Sequence, residues 1–328
     1  MTTRICFAIL TLSVSAAAQV KVAKLADRVA VDIDGKPFTA LFIGPEVAKP
    51  FLYPLRAASG TVVTRRFPLE DSPGDSRDHP HHRGLTFAHA DLNGFNYWAN
   101  EDFNPGKKGK IVVRKVTRIE SGKKRGTVEA TLSWLDPGGR DLMKDTRRMT
   151  FYSHPSLRMI DFDILLRAVE TVKFGDTHEG SFGVRVAAWL EEPDPDYLPV
   201  AKKGDARPTE PRRTGLVSNS SGGRTENQVR GKRANWADYS GEYKGEKLGI
   251  AILDHPSNPR HPTYWHTRGY GIFAANIFGV SAFEKDKSRD GSLILKPGEE
   301  LRFRYRVVIH PGDATSAGVK RLFEEYAQ

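Results

Sequence analysis

The chain has 328 residues, with 50 Lys+Arg against 40 Asp+Glu, a formal net charge of +10 at pH 7, and a single cysteine, Cys6. That length allows a large core, as one big β-domain or two smaller ones. One cysteine excludes a disulfide framework.

Residues 1–18 read as a secretory signal. Arg4 supplies the positive start, residues 5–16 form an apolar run too short to cross a bilayer comfortably, and Ala16, Ala17 and Ala18 suit a cleavage site. Export to the periplasm or the outside is therefore expected, with the mature chain beginning near Gln19. Cys6 would leave with the signal, removing thiolate catalysis and Cys-ligated metal as well. No second apolar span follows, so no integral membrane span is expected. Removing Arg4 leaves 49 basic against 40 acidic residues, a net of +9.

After the signal the sequence reads mostly as strands. Residues 29–33 alternate, Asp34-Gly35 marks a tight turn, and 36–43 resume the pattern. Pro45, Pro50 and Pro54 punctuate a loop, and 61–67 is a further strand candidate. Hairpin-like pairs follow at 111–119 with 127–135, and at 146–152 with 157–169. Residues 181–190, 248–253, 271–278, 292–295 and 301–309 continue the pattern. Residues 313–326 are the one convincing helix, with Val319, Leu322, Phe323 and Tyr326 on a single stripe. No helices alternate with strands earlier, which argues against βαβ units and a parallel sheet. About fifteen strands without a fixed repeat predict one large antiparallel β-sandwich over 19–328 with one C-terminal helix.

The stretch richest in ionisable groups is 78–98. It holds four of the ten histidines, His79, His81, His82 and His89, within eleven residues, beside Asp78, Asp91 and Arg83. Pro80 biases His79 towards an extended backbone, which would point His79 and His81 one way and His82 the other. The following run alternates, placing Leu85, Phe87, His89 and Asp91 on one face of a buried strand. A loop of this kind at the rim of a sheet suits a functional site, because neutral imidazoles move protons or ligate metal near neutral pH. The spacing matches no zinc motif, so acid–base or substrate-binding work is favoured over metal.

Two further stretches share this character. In 178–185, Glu179 and Arg185 would face the same way, with Gly180 and Gly183 allowing close approach; His178 or Glu179 is a candidate acid–base group. In 235–266, His255 and His261 each precede proline, and Trp236 and Trp265, like Trp98 earlier, are aromatics of the kind that pack on sugar rings. The three loops are expected to converge on one concave site. Between 200 and 235 lie nine basic and three acidic residues in a Gly-, Ser- and Pro-rich context, read as a long exposed loop. Nucleic-acid binding fits poorly, since aromatics do not interleave with the charges before Trp236.

The segment from Asp78-His79-Pro80-His81-His82-Arg83-Gly84-Leu85 to Asn93-Gly94 and Trp98 resembles an uncharacterised bacterial family labelled "methane oxygenase PmoA". The stretches Glu179-Gly180-Ser181-Phe182-Gly183, Asp254-His255-Pro256 and Leu295-Lys296-Pro297-Gly298-Glu299 fit the same family. That family resembles the galactose-mutarotase-like β-supersandwiches, whose histidines and a carboxylate act on sugars from a concave sheet face. The methane label belongs with multi-span membrane subunits, which this chain does not match. The resemblance thus implies a carbohydrate-active protein, and the N-terminal signal implies that it is exported. His81, His89, His178 and Glu179 would be its catalytic groups, and His82, Arg83, Asp91, Trp98, Arg185, Trp236, His255, His261 and Trp265 its substrate contacts. Epimerase, lyase and hydrolase chemistry stay open. So do a non-catalytic carbohydrate-binding or cell-surface role and a His/carboxylate metal enzyme. No cofactor is implied beyond a metal ion, and oligomeric state is left open.

Overall fold

Two eight-stranded antiparallel sheets face each other. The computed structural model describes residues 19–72, 74–99, 104–193 and 212–328. The expected signal, 1–18, and the first part of the basic loop, 200–211, lie outside the described residues. With strands numbered in chain order, the first sheet runs β1 (Val20–Lys24), β2 (Arg28–Ile33), β3 (Lys36–Phe42), β4 (Phe51–Tyr53), β5 (Leu85–His89), β11 (Gly180–Arg185), β16 (Ile272–Asn276), β15 (Tyr264–Thr267). The second runs β12 (Leu216–Asn219), β13 (Trp236–Tyr243), β14 (Glu246–Asp254), β18 (Glu300–Pro311), β9 (Arg158–Ala168), β8 (Asp141–Tyr152), β7 (Arg125–Leu135), β6 (Lys110–Glu120). A small ribbon pairs β10 (Val172–Phe174) with β17 (Leu293–Leu295). The helices are α1 (Glu226–Val229), α2 (Val280–Glu284) and α3 (Val319–Tyr326). No helix among the described residues is long and apolar enough to cross a membrane.

The core lies between the sheets, where alternation sends every second side chain inward. Phe87 of β5 packs on Trp134 of β7 and Phe303 of β18, with ring centroids 6.1 and 5.3 Å apart. Phe182 of β11 stacks on Tyr305 at 4.4 Å. Since Phe182 points to the core, Ser181, Gly183 and Arg185 point to the outer face of the first sheet. The amphipathic stripe of α3 has its own target. Val319 and Leu322 join Ala251, Leu253 and Val308 in a separate cluster on the far side of the second sheet.

The predicted antiparallel sandwich with a C-terminal helix is what forms, with differences of detail. α3 starts at Val319 rather than 313, because Asp313 and Ser316 close a turn on each other's backbone N–H groups. Residues 61–67 make single bridges instead of a strand. Fully buried Arg65 turns inward there and gathers the carbonyls of Ser76, Asp78, His79 and His82. The described part of the basic stretch is not simply an exposed loop. It contains β12 and α1 with buried Val217, Val229 and Ala234, and Arg213 pairs with buried Glu191 at 2.8 Å.

Gly84 marks how tightly the histidine loop is seated. Its φ is +53°, and a Cβ there would meet the Leu52 carbonyl oxygen at 2.1 Å. Gly84→Ala should therefore lose more than the roughly 1–2 kcal/mol that a left-handed backbone alone costs an L-residue. Urea unfolding measures this as a lower midpoint at unchanged slope.

Candidate functional site

The sheet register builds a floor of small residues. Thr86 of β5 pairs with Gly183 of β11, Gly183 with Ala274 of β16, and Ala274 with His266 of β15. The row ends in an imidazole. Alternation explains it: Trp265 turns into the core, where its Nε1 donates to the Ala234 carbonyl at 2.9 Å, and His266 takes the opposite face.

Glu179 stands just before β11 and is the hub of the site. His178 Nε2 lies 3.2 Å from Glu179 Oε1. The ligating atoms of His178, Glu179 and His266 lie within 4.8 Å of one another, and so do those of His81, His82 and Glu179. His266 Nδ1 donates to the His178 carbonyl at 2.7 Å, which leaves Nε2 as its lone-pair nitrogen.

His81 and His82 arrive on a tight turn closed by His82 N–H donating to the His79 carbonyl at 3.0 Å. His79 is not extended as Pro80 suggested. Its φ is +40°, and its ring stacks on His82 at 4.9 Å and on Tyr270 at 5.2 Å, while Asp78 holds Nδ1 at 3.0 Å. His79 and His82 thus share a side. The His82 ring is boxed in: Trp98 Nε1 faces its Nε2 at 3.3 Å and Arg185 faces its Nδ1 at 3.5 Å. Arg185 also lies 4.5 Å over the Tyr270 ring and bonds Ser76 and Asp78.

Electrostatics sort these groups into one anion and several neutral rings. Burial, then the Lys49 charge, pushes His81 down to about 3. Burial also pushes His82 well below its ordinary value, and His266 below its own. For Glu179 burial acts upward, but the His178 hydrogen bond and the nearby rings outweigh it and hold the carboxyl below the usual range. At neutral pH the ionised Glu179 carboxylate stands among the neutral imidazoles of His81, His82 and His266. Such a set can bind hydroxyls in fixed directions, pass a proton, or hold a cation.

The structure thus brings together His81, His82, His178, Glu179, Arg185 and Trp98, but not the rest of the expected set. His89 sits in the core against Phe174 and Phe278, its Nε2 donating to the Gly175 carbonyl at 2.9 Å, so it does not face the site as expected. Asp91 folds into the next turn, accepting Gly94 N–H at 2.9 Å. His255 and His261 pack on α3 through Tyr326 and Phe323, and His261 is tied to buried Asp254 at 2.7 Å. Trp236 joins the cluster under α3, and Trp265 is core. Trp98 is only 4% exposed and Trp265 fully buried, so neither offers an open face for ring stacking, and half-buried Trp236 lies away from the site under α3. Arg83 is half-buried in the stretch between His82 and β5. His266 lies at the end of a stretch expected to converge on the site but is not itself among the expected contacts; its signal is the strand alternation of Tyr264-Trp265-His266. Sequence reasoning passed over Tyr270, which carries no local pattern.

A family model matches residues 28–324. The chain belongs to DUF6807, a family of unknown function. That description names no activity, and the methane label attached to the resemblance does not appear in it. No curated protein sequence matches the chain. Solved structures similar to it include a GH36 α-galactosidase, AgaA, from Geobacillus stearothermophilus, at 14% identity and TM-score 0.36. Another is an α-galactosidase from Lactobacillus brevis, at 6% identity and TM-score 0.41. Each match covers 90% of this chain, which spans 40% of the length of either galactosidase. A galactose mutarotase-like protein from Clostridium acetobutylicum matches at 10% identity and TM-score 0.40, over 89% of this chain and 98% of that one. At these scores the sandwich assignment rests on the two sheets themselves.

Proposed function

We propose that this chain is an exported enzyme that binds a carbohydrate against the partly exposed His81, His178 and Glu179 side chains and moves a proton on it with the His178–Glu179 pair. The observation that carries the reading is the Glu179 carboxylate, held ionised at the meeting point of His81, His82, His178 and His266. A polyhydroxyl ligand suits such a set, since each sugar hydroxyl both donates and accepts, as neutral imidazoles do. The resemblance to mutarotase-like supersandwiches points the same way. With His178 Nε2–H donating to Glu179, the Nδ1 lone pair takes the substrate proton, and Glu179 stabilises the imidazolium that results. Half-exposed His81 is placed to hydrogen-bond a neighbouring hydroxyl. Recognition by hydrogen bonds rather than stacking follows from the burial of Trp98, the one of the three tryptophans that stands beside the site.

A panel of mono- and oligosaccharides, screened by calorimetry and for turnover, tests the reading. At least one sugar should bind and be converted, and His178→Ala should abolish conversion while leaving binding within about tenfold, since acid–base catalysis contributes roughly 10²–10⁴-fold. A folded protein that binds nothing in the panel would remove the proposal.

A further inference from the structure

We propose that His178, Glu179 and His266 form a site for one divalent transition-metal ion of the zinc type. The inference rests on the function proposed above, because the ion would serve the same substrate.

Three observations point to it. First, the three ligating atoms lie within 4.8 Å of one another, in the two-His-one-carboxylate composition of open zinc sites, which keep a position for water or substrate. Second, the contact geometry is already that of shared ligation. Two ligands at about 2.0–2.2 Å from one ion and about 100° apart lie about 3.2 Å from each other. The His178 Nε2–Glu179 Oε1 separation is 3.2 Å. The ion would replace the proton that now links them. Third, His266 is oriented as a ligand: its Nδ1–H is anchored on the His178 carbonyl at 2.7 Å, leaving the Nε2 lone pair. Metal-bound histidines almost always donate their other N–H in this way.

The second grouping, His81, His82 and Glu179, is the weaker candidate. Both ring nitrogens of His82 face donors, Trp98 Nε1 and an Arg185 guanidinium nitrogen. Half-buried His81 is left beside the first grouping, placed to contact a water or hydroxyl on the ion. Nitrogen and oxygen donors without sulfur favour zinc and its neighbours over calcium or magnesium, which take oxygen sets. A bound ion would make His178 a ligand and would supply an activated water for the proton transfer otherwise assigned to the His178–Glu179 pair.

The test uses the chain purified without a polyhistidine tag, stripped with EDTA and titrated with Zn²⁺ or Co²⁺. One equivalent should bind with a micromolar or tighter Kd, and Co²⁺ should give the visible bands of a four- or five-coordinate site. Glu179→Gln and His266→Ala should each weaken binding by more than the ~10–100-fold that losing an outer partner of a ligand costs. His266→Gln replaces the alanine variant if that fails to fold. His255→Ala, on the far side beside α3, should bind as wild type. Absence of saturable binding overturns the site, as does binding that survives both Glu179→Gln and a His266 variant. Sugar binding is measured on the stripped protein in EDTA. A sugar bound without metal uptake sinks the ion alone, and metal uptake without any sugar bound sinks the carbohydrate reading alone.

Discussion

Glu179→Gln is expected to lower turnover of the sugar identified in the panel by about 10³-fold, the middle of the range for acid–base groups, with only a modest fall in the unfolding midpoint. Glutamine keeps the volume and one acceptor oxygen. It removes the negative charge that stabilises a protonated His178 across 3.2 Å, and that charge is the only one shared by both histidine groupings. The unfolding midpoint should fall only modestly, because the interactions that hold the carboxyl below its usual range also stabilise the fold at neutral pH, but solvent screens a side chain that is 36% exposed. The loss should fall on kcat more than on KM, since the charge matters most when the imidazolium forms. Both constants, with a thermal melt as control, settle the matter. Activity within about threefold of wild type would remove Glu179 from the chemistry.

Why the sequence led to Glu179 is instructive. The sequence places His81, His178 and Glu179 as ionisable groups beside strand starts and predicts that loops at one end of the sandwich gather them. The structure gathers them by another route. β5 and β11 are antiparallel, and Arg185 N–H donates to the Gly84 carbonyl at the end of β11 farthest from Glu179. His81 reaches Glu179 because the 79–82 turn folds back across the outer face of β11. Two buried arginines hold that turn: Arg65 through four of its loop's carbonyls, and Arg185 through Ser76 and Asp78. Nothing local in the sequence announces this clasp, since Arg65 sits in what reads as an alternating strand.

The converse error has the same origin. His255 and His261 share the His-Pro pattern of His79, yet they serve Asp254 and the seat of α3. A fixed backbone before proline limits where a ring can point; it does not choose the target. His89 was misplaced for a simpler reason. β5 is buried along its whole length, so alternation could not tell the core face from the outer face. Where one face stays wet, as along β9, burial alternates residue by residue, although the sequence over 159–165 alternates only in part. The stripe of α3 was read correctly because a 3.6-residue period needs no knowledge of the partner surface.

The second large effect concerns a pair that the site does not use. His310 on β18 and Asp238 on β13 are joined through Nε2 and Oδ2 at 2.7 Å, and both side chains are fully buried. Gly249 on β14, the strand between them, makes the room: a Cβ there would lie 2.4 Å from His310 Cε1. Ser240 bonds the other Asp238 oxygen, and the Pro311 carbonyl faces His310 Nδ1 at 3.2 Å. Burial pushes the His310 ring downward, but Asp238, the Pro311 carbonyl and Asp313 outweigh it and hold its pKa above the ordinary value. Asp238→Ala should cost about 3–5 kcal/mol, since it strands one partner of a buried pair. The pH dependence has a definite sign. A folded-state pKa above the unfolded one means the folded protein holds the proton more tightly. The pair's stabilisation is then fully present below about pH 6.5 and lost as pH rises through the folded value. Urea unfolding at a series of pH values should show wild-type stability falling across that window, and Asp238→Asn should flatten the fall. A variant that loses stability equally at every pH, with the wild-type slope intact, would mean that the pair is neutral in the folded protein.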